Sequence, residues 1–465
     1  MVVLTNKTLI RSRFMAYAPV YQMSLISGLL ESRLDPSHEL LVLAEKIDWD
    51  TIETSLKPFY KLRGRRAKNI RLMVGLNLLK HRFDLSDEDV VQNLSENLYW
   101  MAFCGLDGEL TSSSWTKALD ASTMTNFRKR IGAKGVALIE DVIRNQLIAE
   151  KRISPKVHLV DTTAMEKNVA YPTDANLLDH GRRLIVKTVG QLNELGVGTK
   201  VRSFARKGKK AILNLMKLGK DRQERIEKGN KELIGYAKQV LTKIPDVLKG
   251  GKRSVDEKLK KKVDALKAKL KVQRALLNRV IAQTEARLEG IHLKGKVLSL
   301  HEPHVVAIAK GKRGRPNEYG CKVSISIDRN GYVVGHQEYD ENAADLKTLE
   351  PALEHWEEAC GTPAEELGAD RGYHTSEPSE KVKRIPKVAI PTKGKKPHPD
   401  KKKPYFRRLQ RRRAGIEPVI GHLKSDHRMD CSRYKGFEGD KLNVTWAVLA
   451  WNTKKWARNA RKGGK

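Results

Sequence analysis

Three acidic residues carry the candidate chemistry. Asp161 closes the short apolar run Val157-His-Leu-Val160, and Asp370 closes Glu365-Glu-Leu-Gly-Ala369. If those runs are neighbouring strands of one sheet, the two carboxylates converge at its edge. Like charges that close raise one another's proton affinity unless a cation stands between them, which calls for a hard divalent ion such as Mg2+. Mg2+ takes few protein carboxylates and completes its shell with water and substrate phosphate, so one further oxygen donor is wanted. Glu417 is the best candidate, an acid in Arg411-Arg-Arg-Ala-Gly-Ile-Glu417-Pro-Val-Ile-Gly-His-Leu-Lys424, where a phosphate would be held. A plainer role stays open for Asp161, since an acid before Thr162-Thr163 can also be a helix N-cap.

The composition agrees with a polyanionic partner. Lys and Arg number 90 against 55 Asp and Glu, a formal net charge of +35 that costs self-repulsion unless a polyanion offsets it. Nucleic acid is the first choice and an anionic membrane surface the second. A chain of 465 residues suffices for two to four domains, which excludes a peptide hormone or a single small module. Cys104, Cys321, Cys360 and Cys431 stand far apart with no Cys-x-x-Cys, so neither a zinc ribbon nor a disulfide framework is expected and a reducing cytoplasm is the simplest home. His301-Glu-Pro-His304 offers two imidazoles, but Pro303 and the lack of a nearby Cys argue against zinc. The uncharged run Phe14–Leu30 contains Pro19, Gln22, Ser24, Ser27 and Gly28 and ends in Glu-Ser-Arg, unlike a secretory signal. No run of about 20 apolar residues is present, so no membrane span is expected.

The elements that must position the acids read as follows. Residues from about 36 to 135 are helical: Ile70, Met73, Leu76 and Leu79 recur at helical spacing, Ser86-Asp-Glu-Asp89 is a capping box, and Val90, Val91 and Leu94 continue an apolar face. Ser122–Arg130 opens with a hydroxyl and carries Arg128, Lys129 and Arg130, as a helix presented to DNA would, or as a solvated basic helix would equally. Cys321–Asp328 and Gly331–Tyr339 alternate around Arg329-Asn330-Gly331 and predict an antiparallel hairpin. A helix at 343–359, a strand before Asp370, a helix at 378–383 and a strand at 387–390 complete a mixed sheet with helices against its faces.

Residues 200–300 interrupt this order with a net charge of +19, over half of the total. There Leu259, Val263, Leu266, Leu270, Leu277 and Val280 predict an antiparallel helical hairpin or coiled coil, with a helix at 211–244 and a turn at 245–253 supplying its partner. Such an arm is a structural element with solvated Lys faces, a DNA clamp or a dimerisation device. A second basic block, 393–413, has eleven cations against one Asp and three prolines in its first half, which predicts a loop that orders on a phosphate backbone.

Val160-Asp161-Thr-Thr, Tyr171-Pro-Thr-Asp-Ala-Asn-Leu-Leu178, the basic lead Lys310–Arg315, Asp370-Arg-Gly-Tyr373 and Arg413-x-x-x-Glu417-x6-Lys424 together resemble bacterial insertion-sequence transposases of the DDE class, the insertion-sequence four and five group. The resemblance spans roughly residues 50 to 455. It implies an α/β, ribonuclease-H-like mixed sheet with flanking helices, an N-terminal all-helical domain and a long coiled-coil-like insertion. The implied divisions are 1–150 for DNA binding, 151–199 with 297–465 for catalysis, and 200–296 for the insertion. It further implies Asp161, Asp370 and Glu417 as catalytic and metal-binding acids, two Mg2+ ions with Mn2+ able to substitute, and Arg413 and Lys424 as phosphate-binding cations. The block Arg407, Arg408, Arg411 and Arg412, with Arg128, Lys129 and Arg130, is expected to touch DNA. The partners implied are double-stranded DNA, both terminal inverted repeats and target, and a second copy of the chain in a homodimer or larger assembly at the bacterial nucleoid. The family places Tyr three residues before the Arg; here Gln410 stands there. The alternatives are a metal-dependent nuclease that cuts without joining and a catalytically inactive DNA-binding protein.

Overall fold

The structure is a computed structural model that describes residues 34–61, 67–106, 119–217, 221–249, 256–312, 315–394 and 397–463. The run at 14–30 and the side chains of 310–315 lie outside the described residues. Two compact units emerge. The first takes the described residues up to Glu166 with Lys322–Tyr339 and those from Ala343 onward; the second takes Lys167–Cys321 with Asp340–Asn342.

The chain begins with helices α1 (Glu39–Lys46), α2 (Trp49–Leu56), α3 (Ile70–Arg82), α4 (Asp87–Glu96), α5 (Leu98–Phe103) and α6 (Ala121–Ala149). The capping box before α4 is present, with Ser86 and Asp89 side chains each accepting from the other's backbone N–H. A backbone break at Gly132, φ 56°, separates the first turns of α6 from its long second part. Strand β1 (Val157–Lys167) follows and runs past the expected boundary at Val160, because Thr162 and Thr163 are β-branched and continue the ladder. Asp161 therefore sits inside a strand and caps no helix.

The second unit contains α7 (Asp174–Glu194), α8 (Ala205–Leu215), α9 (Arg222–Leu241), α10 (Ile244–Lys249) and α11 (Glu257–Leu288), then strand β2 (Val306–Lys312). The single helix expected at 211–244 is two, and the turn expected at 245–253 is instead the short helix α10 as far as it is described. The apolar seam of α11 buries Leu270, Leu277 and Val280, but its main partner is α7 rather than α9. Gly181 suits this contact: a Cβ there would stand 2.7 Å from Leu277 Cδ1, so a larger residue would have to push that leucine methyl aside. Leu178, Ile185 and Val189 of α7 thus share a core with the arm, each contributing roughly 1.5 to 3 kcal/mol by burial.

Strand β3 (Arg315–Ile327) pairs antiparallel with β2 from Val306↔Gly320 to Lys312↔Arg315. In the first unit β3 pairs antiparallel with β4 (Val333–Tyr339) from Lys322↔Tyr339 to Ile327↔Val333, the hairpin the sequence predicts. Then come α12 (Asp345–Cys360), β5 (Glu366–Gly368), α13 (Glu380–Lys383), β6 (Lys387–Ala389), α14 (Pro404–Ala414), α15 (Ile416–Ser425), β7 (Cys431–Ser432) and α16 (Gly436–Gly463). β1 lies between β3 and β5, and β5 pairs parallel with both β1 and β6. The sheet is mixed, antiparallel at β3–β4 and parallel at β1–β5–β6, and the fold is mixed α/β. His158 braces its centre, bonding Ser326 Oγ at 2.8 Å and stacking on Trp356 at 4.3 Å.

The Arg-rich segment expected to be a loop is the helix α14. Pro404 occupies its first turn, where a missing N–H costs nothing, and Phe406 and Leu409 bury one face. The N-terminal helices do not close on a core of their own: Ile70, Met73 and Ile139 share one with Tyr332, Trp356, Trp446 and Trp456. No disulfide joins Cys104, Cys321, Cys360 or Cys431. No helix among the described residues is long and apolar enough to cross a membrane.

Candidate active site

The parallel ladder between β1 and β5 sets the two aspartates. Leu159 pairs with Gly368, and Asp161 and Asp370 each stand two residues further along. Gly368 admits close packing, since a Cβ there would meet Leu159 Cδ2 at 2.8 Å. Asp370 leaves the strand and caps the turn Arg371–Tyr373, its Oδ1 accepting from Gly372 N at 2.7 Å. Asp161 Oδ1 accepts from Thr162 N at 2.7 Å.

Glu417 arrives from the other end of the unit. α14 stops at Ala414 and α15 starts at Ile416, which puts Pro418 in a first turn rather than mid-helix. The register across this break still brings Arg413 and Glu417 together: Arg413 Nη2 donates to Glu417 Oε1 at 2.8 Å, and Nη1 donates to Asp161 Oδ2 at 3.2 Å. One guanidinium thereby joins the first and third acids. Gln410, where the family has Tyr, donates Nε2 to Ala369 O at 3.1 Å and Ala389 O at 2.6 Å, tying α14 to the ends of β5 and β6 beside Asp370.

The other expected DNA contacts divide. Arg407 and Arg411 are exposed on α14. Arg408 and Arg412 reach back to Glu366, which offsets part of their charge. Lys424 lies in the last turn of α15, half-buried. Lys129 and Arg130 are exposed, with Arg130 over the Tyr60 ring at 4.7 Å. Arg128 corrects the sequence expectation: it is 5% exposed, and its guanidinium pairs with Asp87 and donates to Asn77 Oδ1 at 3.1 Å. A buried arginine already satisfied by a carboxylate is not available to phosphate.

Among these acids the electrostatics single out Asp161. Asp161 is pushed up to about 6, first by burial and further by the charges of Asp370 and Asp345; the Thr162 N–H and Arg413 oppose the rise. Asp345, at the start of α12, was not legible as a site residue. An acid in a first helical turn reads as a partner of the helix dipole, and only the sheet order places it beside Asp161. Thr162 Oγ1 donates to Asp345 Oδ1 at 2.7 Å, and Lys322 Nζ donates to the same oxygen at 2.5 Å.

The donor set is chemically suited to a hard dication, being carboxylate oxygens only, with Asp161 feeling the charges of Asp370 and Asp345. In the structure the Arg413 guanidinium pairs with Asp161 and Glu417, and among the described residues no group of three or more His, Cys, Asp or Glu is gathered to hold a metal ion. His301 meets His180, Nε2 to Nε2 at 2.9 Å, and no zinc-binding group forms around them among the described residues.

Residues 29–130 match the family described as Transposase domain (DUF772), and residues 293–453 match the Transposase DDE domain. The second match contains Asp370 and Glu417; Asp161 lies between the two. A protein of Rhizobium meliloti described as "Uncharacterized protein ORF8 in nfe locus" is 37% identical over 163 residues, 34% of this chain and 76% of that protein. No solved structure matches.

Proposed function

We propose, for a chain that belongs to the bacterial insertion-sequence transposases of the DDE class, that it binds the terminal inverted repeats of its own element and catalyses DNA strand cleavage and strand transfer. The observation that supports this reading most strongly is the convergence of Asp161 and Glu417 on Arg413, with Asp370 just past the end of β5, the strand paired with that of Asp161. The catalytic sheet is read as ribonuclease-H-like, with a strand order and helix placement in keeping with that fold.

In this reading Asp161, Asp370 and Glu417 would hold two Mg2+ ions, or Mn2+. Bound there, the metal would supply a more acidic water or 3′-hydroxyl as nucleophile and charge stabilisation for the departing 3′-oxygen. The protein's own groups do the remainder. Arg413 and Lys424 hold phosphate oxygens next to the third acid, and Arg407 and Arg411 fix the backbone in register. Gln410 keeps the loop of Asp370 seated against α14. No side-chain nucleophile is needed, so positioning and electrostatics are the catalytic contributions.

Residues 1–150 would contribute end recognition, through Lys129 and Arg130 among others. Residues 151–199 with 297–465 would be catalytic, and the basic insertion 200–296 would steady DNA or a second protomer. A homodimer or larger assembly at the nucleoid would bring both ends together. The test is the reaction of the purified protein with a supercoiled plasmid carrying both ends of its element. Joined products support the reading, and cuts without joining favour a nuclease.

A further inference from the structure

Lys322 is an ammonium on the interior strand β3, 8% exposed, where an unpaired charge would be costly. It donates to Asp345 Oδ1 at 2.5 Å and to Ala343 O at 2.7 Å. The same Asp345 oxygen accepts from Thr162 Oγ1 at 2.7 Å, and the N–H of Thr162 donates to Asp161 Oδ1 at 2.7 Å. Four residues from two strands and a helix start thus form one hydrogen-bonded line ending on the first acid. Asp345 also lies near the second acid. A Cβ placed on Gly372 would stand 2.5 Å from Asp345 Oδ2 and 2.8 Å from Asp370 Oδ1, so both carboxylates close over that glycine.

A simple ion pair at the start of α12 does not require this arrangement. A lysine–aspartate pair on the helix end would be satisfied without a threonine on the same oxygen, and would not need a third carboxylate near two others, which is unfavourable. The line does have a use: with Oδ1 of Asp161 held by Thr162, Oδ2 is the oxygen presented to a cation, and it is the one that Arg413 meets.

We propose that Asp345, locked by Lys322, is a positioning residue that fixes the Asp161 carboxylate through Thr162 and so sets the affinity of the acid site for its divalent ion. This rests on the reading of Asp161, Asp370 and Glu417 as metal-binding acids. Partners one step removed from a metal are worth about 10- to 100-fold in affinity.

The test compares Thr162→Val, which keeps shape and β-branching but removes the hydroxyl, with Thr162→Ser, which keeps the hydroxyl, and with Lys322→Met. Mn2+ binding to the full-length protein without DNA is followed by electron paramagnetic resonance. The Mg2+ concentration for half-maximal end cleavage is measured beside it. Thr162→Val and Lys322→Met are expected to bind Mn2+ about tenfold more weakly and to need correspondingly more Mg2+. The rate at saturating Mg2+ should fall far less, and Thr162→Ser should behave as wild type. Wild-type Mn2+ affinity in Thr162→Val, with the fold intact by circular dichroism, would overturn the proposal alone. A wild-type protein that binds no Mn2+ would overturn it together with the metal reading on which it rests.

Discussion

Arg413 Nη1 lies 3.2 Å from Asp161 Oδ2, joining side chains 252 positions apart in the sequence. The other arm of the same guanidinium holds Glu417, so a single cation links a strand residue to a helix residue across the sheet edge. A planar, permanently charged fork suits this task, and a lysine would not reproduce it. Arg413 therefore offsets the acid cluster, and under the proposed function it would also meet a phosphate there.

Arg413→Gln is predicted to lower strand cleavage about 100- to 1,000-fold, the range found when a single charge-stabilising donor is removed. Affinity for the ends should fall less than about tenfold, since only one of many phosphate contacts is lost. Cleavage assays and mobility-shift titration on the same preparation separate the two effects. Unimpaired cleavage would remove Arg413 from the site.

Asp161→Asn should stabilise the protein in the absence of divalent metal. The carboxyl is pushed up to about 6 from an ordinary 3.8, so the folded state binds more protons than the unfolded one between those values. Stability accordingly falls as pH rises through that window, and above it the ionised group opposes folding. Removing the charge should recover about 1 to 3 kcal/mol at pH 7, read by denaturant melts in chelator. A loss of stability would show that the Arg413 contact outweighs the burial.

The buried cluster on α6 and β4 sets a different pH response. Burial alone would lower His336, but Glu140, at 3.2 Å, and Glu338, at 2.7 Å, override it and push the imidazole up to about 10. Burial likewise opposes ionisation of Glu140, yet His336 and Arg144 bring it down to about 2. The His336 contribution is full below its unfolded value of 6.5 and is lost as pH rises toward 10; that of Glu140 is present above 4.5 and lost as pH falls through 2. His336→Gln should cost about 3 to 5 kcal/mol near neutrality and flatten the alkaline limb of the stability profile. An unchanged alkaline limb in thermal melts would contradict the assignment.

Arg407→Gln with Arg411→Gln should reduce the slope of log affinity against log salt by about 2, one unit for each phosphate contact. Arg408→Gln should act differently, because it leaves Glu366, 8% exposed, with one partner fewer and so lowers stability as well. Binding isotherms at several salt concentrations decide this; an unaltered slope for the double variant would place the DNA elsewhere.

Local signals were the legible ones. The Ser86–Asp89 capping box, the hairpin around Arg329-Asn-Gly331 and the break beside Pro418 each depend on residues within a few positions of one another. Asp161 and Asp370 could be picked out because each follows a short apolar run in the sequence. What the sequence concealed was long-range. Arg128 looks like a surface cation until Asp87, on another helix, claims it. Asp345 looks like a helix-start acid until β3 and β1 bring Lys322 and Thr162 to it. The seam of α11 announces a helix partner without saying which, and the packing shows it to be α7.

The central claim is that Asp161, Asp370 and Glu417 form one metal-dependent site for cutting and joining DNA. The most direct measurement is the plasmid reaction in Mg2+, with Asp161→Asn, Asp370→Asn and Glu417→Gln run beside the wild type at protein concentrations that saturate the ends. The prediction is that all three variants bind the ends as the wild type does and yield neither cut nor joined product. A variant that still joins ends at the wild-type rate would contradict the account, by showing that its acid lies outside the chemistry.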